Sequence, residues 1–135
     1  MNYMFDTNAI SALVHQRRGW ERLARRIDGL EPERRLISAI TLSELQTMIA
    51  KAAAPESKGM RIWRVLLNFH LVDFGEIAAL YTGSIRAYLE PRGLKIGPMD
   101  ALLAAHASSI GATVVTANTR ELSRVPGLAV QDWGC

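Results

Sequence analysis

A chain of 135 residues, 49% hydrophobic and 21% charged, with ten glycines and five prolines, has the length of one domain and enough apolar content to bury a core, which excludes disordered, collagen-like and low-complexity proteins. Sixteen Lys and Arg against thirteen Asp and Glu leave a formal charge of +3, which permits an anionic partner without demanding one. Cys135 is the only cysteine, so there is no intrachain disulfide and no basis for a Cys-type zinc site; with no secretory pattern at the N-terminus and no apolar run near the ~18 residues of a membrane span, the expectation is a soluble, cytoplasmic protein.

Residues 2–5 read as a buried strand that runs into Asp6-Thr7-Asn8 and then the helical Ala9-Ile10-Ser11-Ala12-Leu13. The next segment crowds Arg17, Arg18, Arg22, Arg25, Arg26, Arg34 and Arg35 among Glu21, Asp28, Glu31 and Glu33. It fits a solvated amphipathic arm and an RNA-binding groove equally well. Residues 36–40 read as a second strand meeting Thr41-Leu42-Ser43-Glu44, after which Leu45, Met48, Ile49 and Ala52 recur at helical spacing. A third strand at 71–74 precedes Ile77, Leu80, Tyr81, Ile85 and Tyr88 on one helical stripe. Gly97-Pro98-Met99-Asp100 opens a helix that continues to Ile110. A fourth strand at 113–116 leads into Ala117-Asn118-Thr119-Arg120-Glu121, and 128–130 is a weaker fifth. Strand followed by helix, repeated without a composition break, predicts a single α/β domain over 1–135: a central parallel sheet of four to five strands flanked by helices.

Every strand-to-helix joint of a parallel sheet lies at one edge, where open α/β folds bind ligands. Asp6, Glu44, Asp100 and Glu121 stand at or near four helix starts. Each has a structural explanation by itself: Asp6 as an N-cap, Asp100 as a first-turn acid, and Thr41-x-x-Glu44 and Asn118-x-x-Glu121 as capping boxes. Four carboxylates at one edge repel one another, and their ionised forms coexist readily only beside cations. An oxygen-only set without Cys or His selects Mg²⁺ or Mn²⁺ over zinc or copper. Such an ion orients and acidifies a water and stabilises a departing oxygen, which points to a metal-dependent nuclease or phosphatase.

Met4-Phe5-Asp6-Thr7-Asn8, then Ser38-Ala39-Ile40-Thr41-Leu42-Ser43-Glu44-Leu45, then Ile96-Gly97-Pro98-Met99-Asp100-Ala101-Leu102-Leu103-Ala104-Ala105-His106-Ala107, and finally Val115-Thr116-Ala117-Asn118-Thr119-Arg120-Glu121, together resemble a PIN-domain toxin of the VapC family. The resemblance spans nearly the whole chain. It implies a PIN-like fold and a Mg²⁺- or Mn²⁺-dependent endoribonuclease toxin of a type II toxin–antitoxin pair, held inactive by a cognate VapB-type antitoxin. Asp6, Glu44 and Asp100 match the family's three acidic metal and catalytic residues, and Glu121 matches a fourth, more variable acidic position. Thr7 and Thr116 match hydroxyl positions near the metal, and Asn118 shares the polar turn. Ala117 stands where close relatives frequently carry Asn, and Leu122 where they carry Phe. The resemblance also implies a homodimer, a hetero-oligomer with the antitoxin, and operator DNA bound only through the antitoxin. Its substrate would be a structured RNA, and the resemblance points to the anticodon loop of initiator tRNA.

On this reading Asp6, Asp100 and Glu121 hold a metal, while Glu44 ligates or deprotonates the attacking water, leaving a 5′-phosphate and a 3′-hydroxyl. His15, His70 and His106 are not needed. Arg120, between Asn118 and Glu121, is the basic residue best placed for a scissile phosphate, and Trp20, Trp63 and Trp133 are either base-stacking or core. The alternatives are an RNA-processing PIN nuclease outside a toxin–antitoxin pair, a catalytically silent PIN-like module, and a receiver-like phospho-signalling domain. The last lacks its adjacent acidic pair, since Asp6 is followed by Thr7. Setting the four acids aside leaves sixteen bases against nine acids, or +7, so the mild average charge conceals an acidic pocket in a basic shell.

Overall fold

Met4 and Phe5 are wholly buried, and their neighbours along the chain explain why the sheet forms around them. The computed structural model describes residues 1–134, with Cys135 outside the described residues. Five short strands, β1 (Tyr3–Phe5), β2 (Arg35–Ser38), β3 (His70–Val72), β4 (Thr113–Val115) and β5 (Val130–Gln131), form one sheet in the order β3-β2-β1-β4-β5. All neighbouring pairs are parallel. The chain builds outward from β1 in one direction through β2 and β3, then crosses back to place β4 on the other side. The β1–β4 boundary is therefore a topological switch point, where the crevice outside the strand ends opens.

Side chains alternate across this sheet with the period of two expected of strands. Met4, Leu36 and Val114 face one layer, built from α5 (Glu76–Leu89), α6 (Pro98–Ile110) and α7 (Thr119–Leu122). Phe5, Ile37 and Val115 face the other, built from α1 (Thr7–His15), α2 (Trp20–Asp28), α3 (Ala39–Lys51), α4 (Pro55–Leu66) and Trp133. The central strands β1, β2 and β4 are covered on both faces, so their buried residues form consecutive pairs such as Met4-Phe5, Leu36-Ile37 and Val114-Val115, while the edge strand β3 is largely exposed. No described helix is long and apolar enough to cross a membrane.

Several boundaries differ from the sequence-based expectation. The second strand ends at Ser38, because the Ser38 hydroxyl accepts from the Ile40 amide and starts α3 there; Ala39 and Ile40 are helical. The Thr41-x-x-Glu44 capping box is not formed, since Thr41 is buried in the first turn and Glu44 lies beyond it. The third strand is 70–72 and the fifth is 130–131. Helix α4 escaped the periodicity because its buried positions reduce to Ile62 and Leu66, with Pro55 at its first turn and Gly59 within it.

The arginine-rich segment resolves into distinct roles. Helix α2 buries Leu23 and Ile27 and turns its charges outward. Arg35, inside β2, donates to the Leu30 carbonyl from Nη2 at 2.6 Å and Nε at 3.0 Å, and Arg34 pairs with Glu31 at 3.7 Å. Arg26 lies 4.2 Å over the Trp133 ring. Those three are structural; Arg18, Arg22 and Arg25 make no hydrogen bond or ion pair among the described residues.

Candidate active site

Asp6 is the first residue past β1, and its amide extends the ladder by donating to the Val115 carbonyl at 3.3 Å. As the N-cap of α1 it accepts from the Ala9 amide at 2.8 Å through Oδ1. Its other oxygen accepts from the Thr116 hydroxyl at 2.6 Å. The cap expected for Asp6 is therefore present, yet it occupies only one oxygen of a side chain that is 7% exposed. Burial raises the Asp6 pKa above the ordinary 3.8; the Thr116 and Ala9 hydrogen bonds oppose that rise, and the charges of Asp100 and Glu44 add to it.

Glu44 reaches the same edge from α3, where Thr7 donates to its Oε1 at 2.6 Å. Asp100 sits in the first turn of α6, directly after the Gly97-Pro98 start. Its pKa is raised by burial first and then by the charges of Glu121 and Glu44, against a hydrogen bond from Asn118. Asn118 precedes α7 without capping it through its side chain. Its amide nitrogen instead lies 3.3 Å from Asp100 Oδ2 and 3.4 Å from Glu121 Oε2, between the two acids. The Asn118-x-x-Glu121 capping box is thus replaced by a bridge across the site. The Asn118 backbone N–H also donates to the Thr116 hydroxyl at 2.9 Å, which leaves that hydroxyl's proton for Asp6.

Asp6 feels the charges of Asp100 and Glu44, and Asp100 those of Glu121 and Glu44, and Thr7, Thr116 and Asn118 are the donors that hold these acids. Arg120 does not join them: it is exposed on α7 and makes no hydrogen bond or ion pair among the described residues. No three acids or histidines among the described residues converge into a preassembled metal cage. Oxygen-only donors, raised carboxyl pKa values and like charges facing one crevice all favour a hard divalent cation, so the residues fit the ion that the sequence implies.

The histidines stay out of the crevice. His106 is 2% exposed, with Nδ1 2.7 Å from the Ser38 hydroxyl and its ring edge-on to Phe74 at 5.4 Å. Burial lowers its pKa below 6.5, opposed by a hydrogen bond to the Asp73 backbone. His15 lies 2.8 Å from Lys58 Nζ, and His70 is exposed on β3. The Ser38–His106 pairing went unread in the sequence, where residues 68 apart carry no signal of contact.

Residues 3–128 match the PIN domain family. Over 133 residues the chain is 36% identical to the tRNA(fMet)-specific endonuclease VapC of Salmonella typhimurium, with 98% of each chain covered. The chain belongs to the VapC family of PIN-domain proteins. Its fold agrees with that assignment. Against DNA-bound VapBC of Salmonella typhimurium the TM-score is 0.91 at 36% identity, with 98% of each chain covered. Against VapBC2 of Rickettsia felis bound to a promoter DNA fragment it is 0.91 at 30% identity, covering 98% of this chain and 99% of that one. For a VapC-family chain, the β1–β4 switch point and the four acids around it lie inside the matched PIN region.

Proposed function

We propose that this chain is a divalent-metal-dependent endoribonuclease and the toxin of a type II toxin–antitoxin pair. The observation that carries the reading is the convergence of Asp6, Glu44, Asp100 and Glu121 on one crevice, where Glu44, Asp100 and Glu121 each accept through a single oxygen and Asp6 is fixed through both. Support for the biological class comes from relatives named ribonuclease or endonuclease VapC and from neighbours that are VapBC complexes. The substrate is a structured RNA, with a tRNA as the first candidate because the Salmonella relative carries a tRNA(fMet)-specific name.

Asp6, Asp100 and Glu121 are the residues that would hold Mg²⁺ or Mn²⁺. When bound, such an ion neutralises phosphate charge and lowers the pKa of a water. Thr116 and the Ala9 amide fix the Asp6 carboxylate, and Asn118 sets the spacing of Asp100 and Glu121. Thr7 occupies Glu44 Oε1, so Oε2 is left to accept a proton from the attacking water. Attack in line with the departing 3′-oxygen yields a 5′-phosphate and a 3′-hydroxyl without use of the RNA 2′-hydroxyl. The site assignment also agrees with a VapB-type antitoxin that blocks the acidic crevice with a cationic side chain, a guanidinium being able to replace the cation's charge. The toxin is a cytoplasmic homodimer that reaches operator DNA only through its antitoxin.

Expression of the chain arrests growth on this reading, and Asp6→Asn, Glu44→Gln or Asp100→Asn relieves the arrest. Purified chain cleaves tRNA with Mg²⁺ or Mn²⁺, leaves 5′-phosphate ends, and stops after chelation. Undiminished arrest in the three variants would overturn the site, and cleavage after rigorous chelation would overturn the metal.

A further inference from the structure

Beside the acid crevice is a second cavity that the catalytic reading leaves unused. An open pocket lies between α1 and the start of α2, backed by the C-terminal tail. Asn8 and Thr116 line it on the side of the acids, and Ala12, Leu23 and Trp133 give it an apolar floor. Its walls are fixed by close packing. Gly19 has φ +87°, and a Cβ there would stand 2.3 Å from the Gly134 carbonyl oxygen, so only glycine lets the tail approach α2 this closely. The tail is held in turn by the Gly134 amide on Asp132 at 2.9 Å and by Trp133 Nε1 on Gln131 at 2.8 Å.

Arg18 stands at the pocket's edge and also lines an adjoining open groove with Arg22 and Arg25, in which Glu21 is the acid. All three guanidinium groups lack a hydrogen bond or ion pair among the described residues. We propose that this pocket seats the base of a nucleotide adjoining the scissile phosphate, with Arg18 on that nucleotide's phosphate. The inference rests on the nuclease reading above. An open pocket with an apolar floor and a few polar edges suits the face of a flat heterocycle, and a free planar fork suits a phosphodiester. Thr116 connects the two sites, because its hydroxyl binds Asp6 and the residue also lines the pocket.

The test is an amide-resolved NMR titration of the full chain with the four nucleoside 5′-monophosphates and, separately, with ribose 5-phosphate. Nucleotides shift the amides of Ala12, Ala117 and Gly134, and ribose 5-phosphate at the same concentration does not. Ala117→Leu, at an exposed pocket-edge position, weakens the nucleotide response about tenfold, and Arg18→Ala weakens nucleotides but not the corresponding nucleosides. Equal shifts from ribose 5-phosphate, or unmoved pocket amides, would overturn the base site. The second arm is cleavage of an RNA carrying an abasic nucleotide beside the cut bond, which the chain cuts about tenfold more slowly than the intact RNA; an equal rate overturns the proposal while the nuclease reading stands. Nucleotide-specific shifts in a chain that cuts no RNA support the base site and count against the nuclease reading alone.

Discussion

At the end of β1, Asp6 shares its edge with three carboxylates, and its pKa is raised by burial first and then by the charges of Asp100 and Glu44; one strand over, at the end of β2, Ser38 and His106 form a buried hydrogen-bonded pair. Both clusters are polar, and both lie where strands run into helices. In the β2 cluster the Ser38 hydroxyl accepts from Ile40 and meets His106 Nδ1, and the Asp73 backbone engages the ring as well. Nothing there remains for a ligand to satisfy. In the β1 cluster each donor satisfies one oxygen and leaves a net negative charge unbalanced. Residual charge, rather than polarity, distinguishes the site from its neighbour.

Substitutions should separate the two clusters most sharply in catalysis. Asp6→Asn is expected to lower RNA cleavage at least about 10²-fold, whereas Ser38→Ala leaves the rate per folded molecule within about twofold. A comparable loss in Ser38→Ala, read in a single-turnover assay, would erase the distinction. In stability the order inverts. Ser38→Ala removes a helix cap and strips a partner from a buried ring nitrogen, costing about 2 kcal/mol in denaturant unfolding, while Asp6→Asn relieves repulsion and offsets the loss of its own cap.

Cation binding provides the next difference. Mg²⁺ at about ten times its Kd should stabilise the chain by about 1.4 kcal/mol, seen as a rise in Tm that Asp100→Asn abolishes and His106→Gln does not. The pH profile follows with opposite signs. Asp6 and Asp100 are raised above 3.8, so the stability they contribute is present below 3.8 and lost as pH rises through their folded values. His106 is lowered below 6.5, so its contribution is present above 6.5 and lost as pH falls through its folded value. His15 has the same sign as His106, through burial and the charges of Lys58, Arg17 and Arg61. Metal-free unfolding curves should therefore flatten on the alkaline side in Asp6→Asn and on the acid side in His106→Gln. The smallest effect is expected at Arg120, whose change to Ala should alter cleavage by less than about fivefold, because solvent screens the charge of an exposed side chain.

The acids were legible because each occupies a joint whose position follows from alternating strand and helix patterns. For Glu44 the competing structural explanation fails: the capping box with Thr41 is absent, because Ser38 starts α3 three residues before Thr41. Arg120 stands exposed on α7 between Asn118 and Glu121, and its contact with a scissile phosphate is a proposal that the Arg120→Ala cleavage assay tests. Helix α4 was not legible because two buried residues do not make a period.

By itself the sequence determined the order of elements, the two-faced burial of the strands and the four carboxylates at their ends, since these rest on local periodicity and on which side chains ionise. The division of the arginines was decided by the tertiary structure alone, with Arg35 and Arg26 taken up by a carbonyl and a ring and Arg18 left free beside the crevice. So were the Asn118 bridge and the contact of Gly19 with Gly134. Those depend on distances between residues far apart in the chain, which only the packing of helices on both faces of the sheet can set.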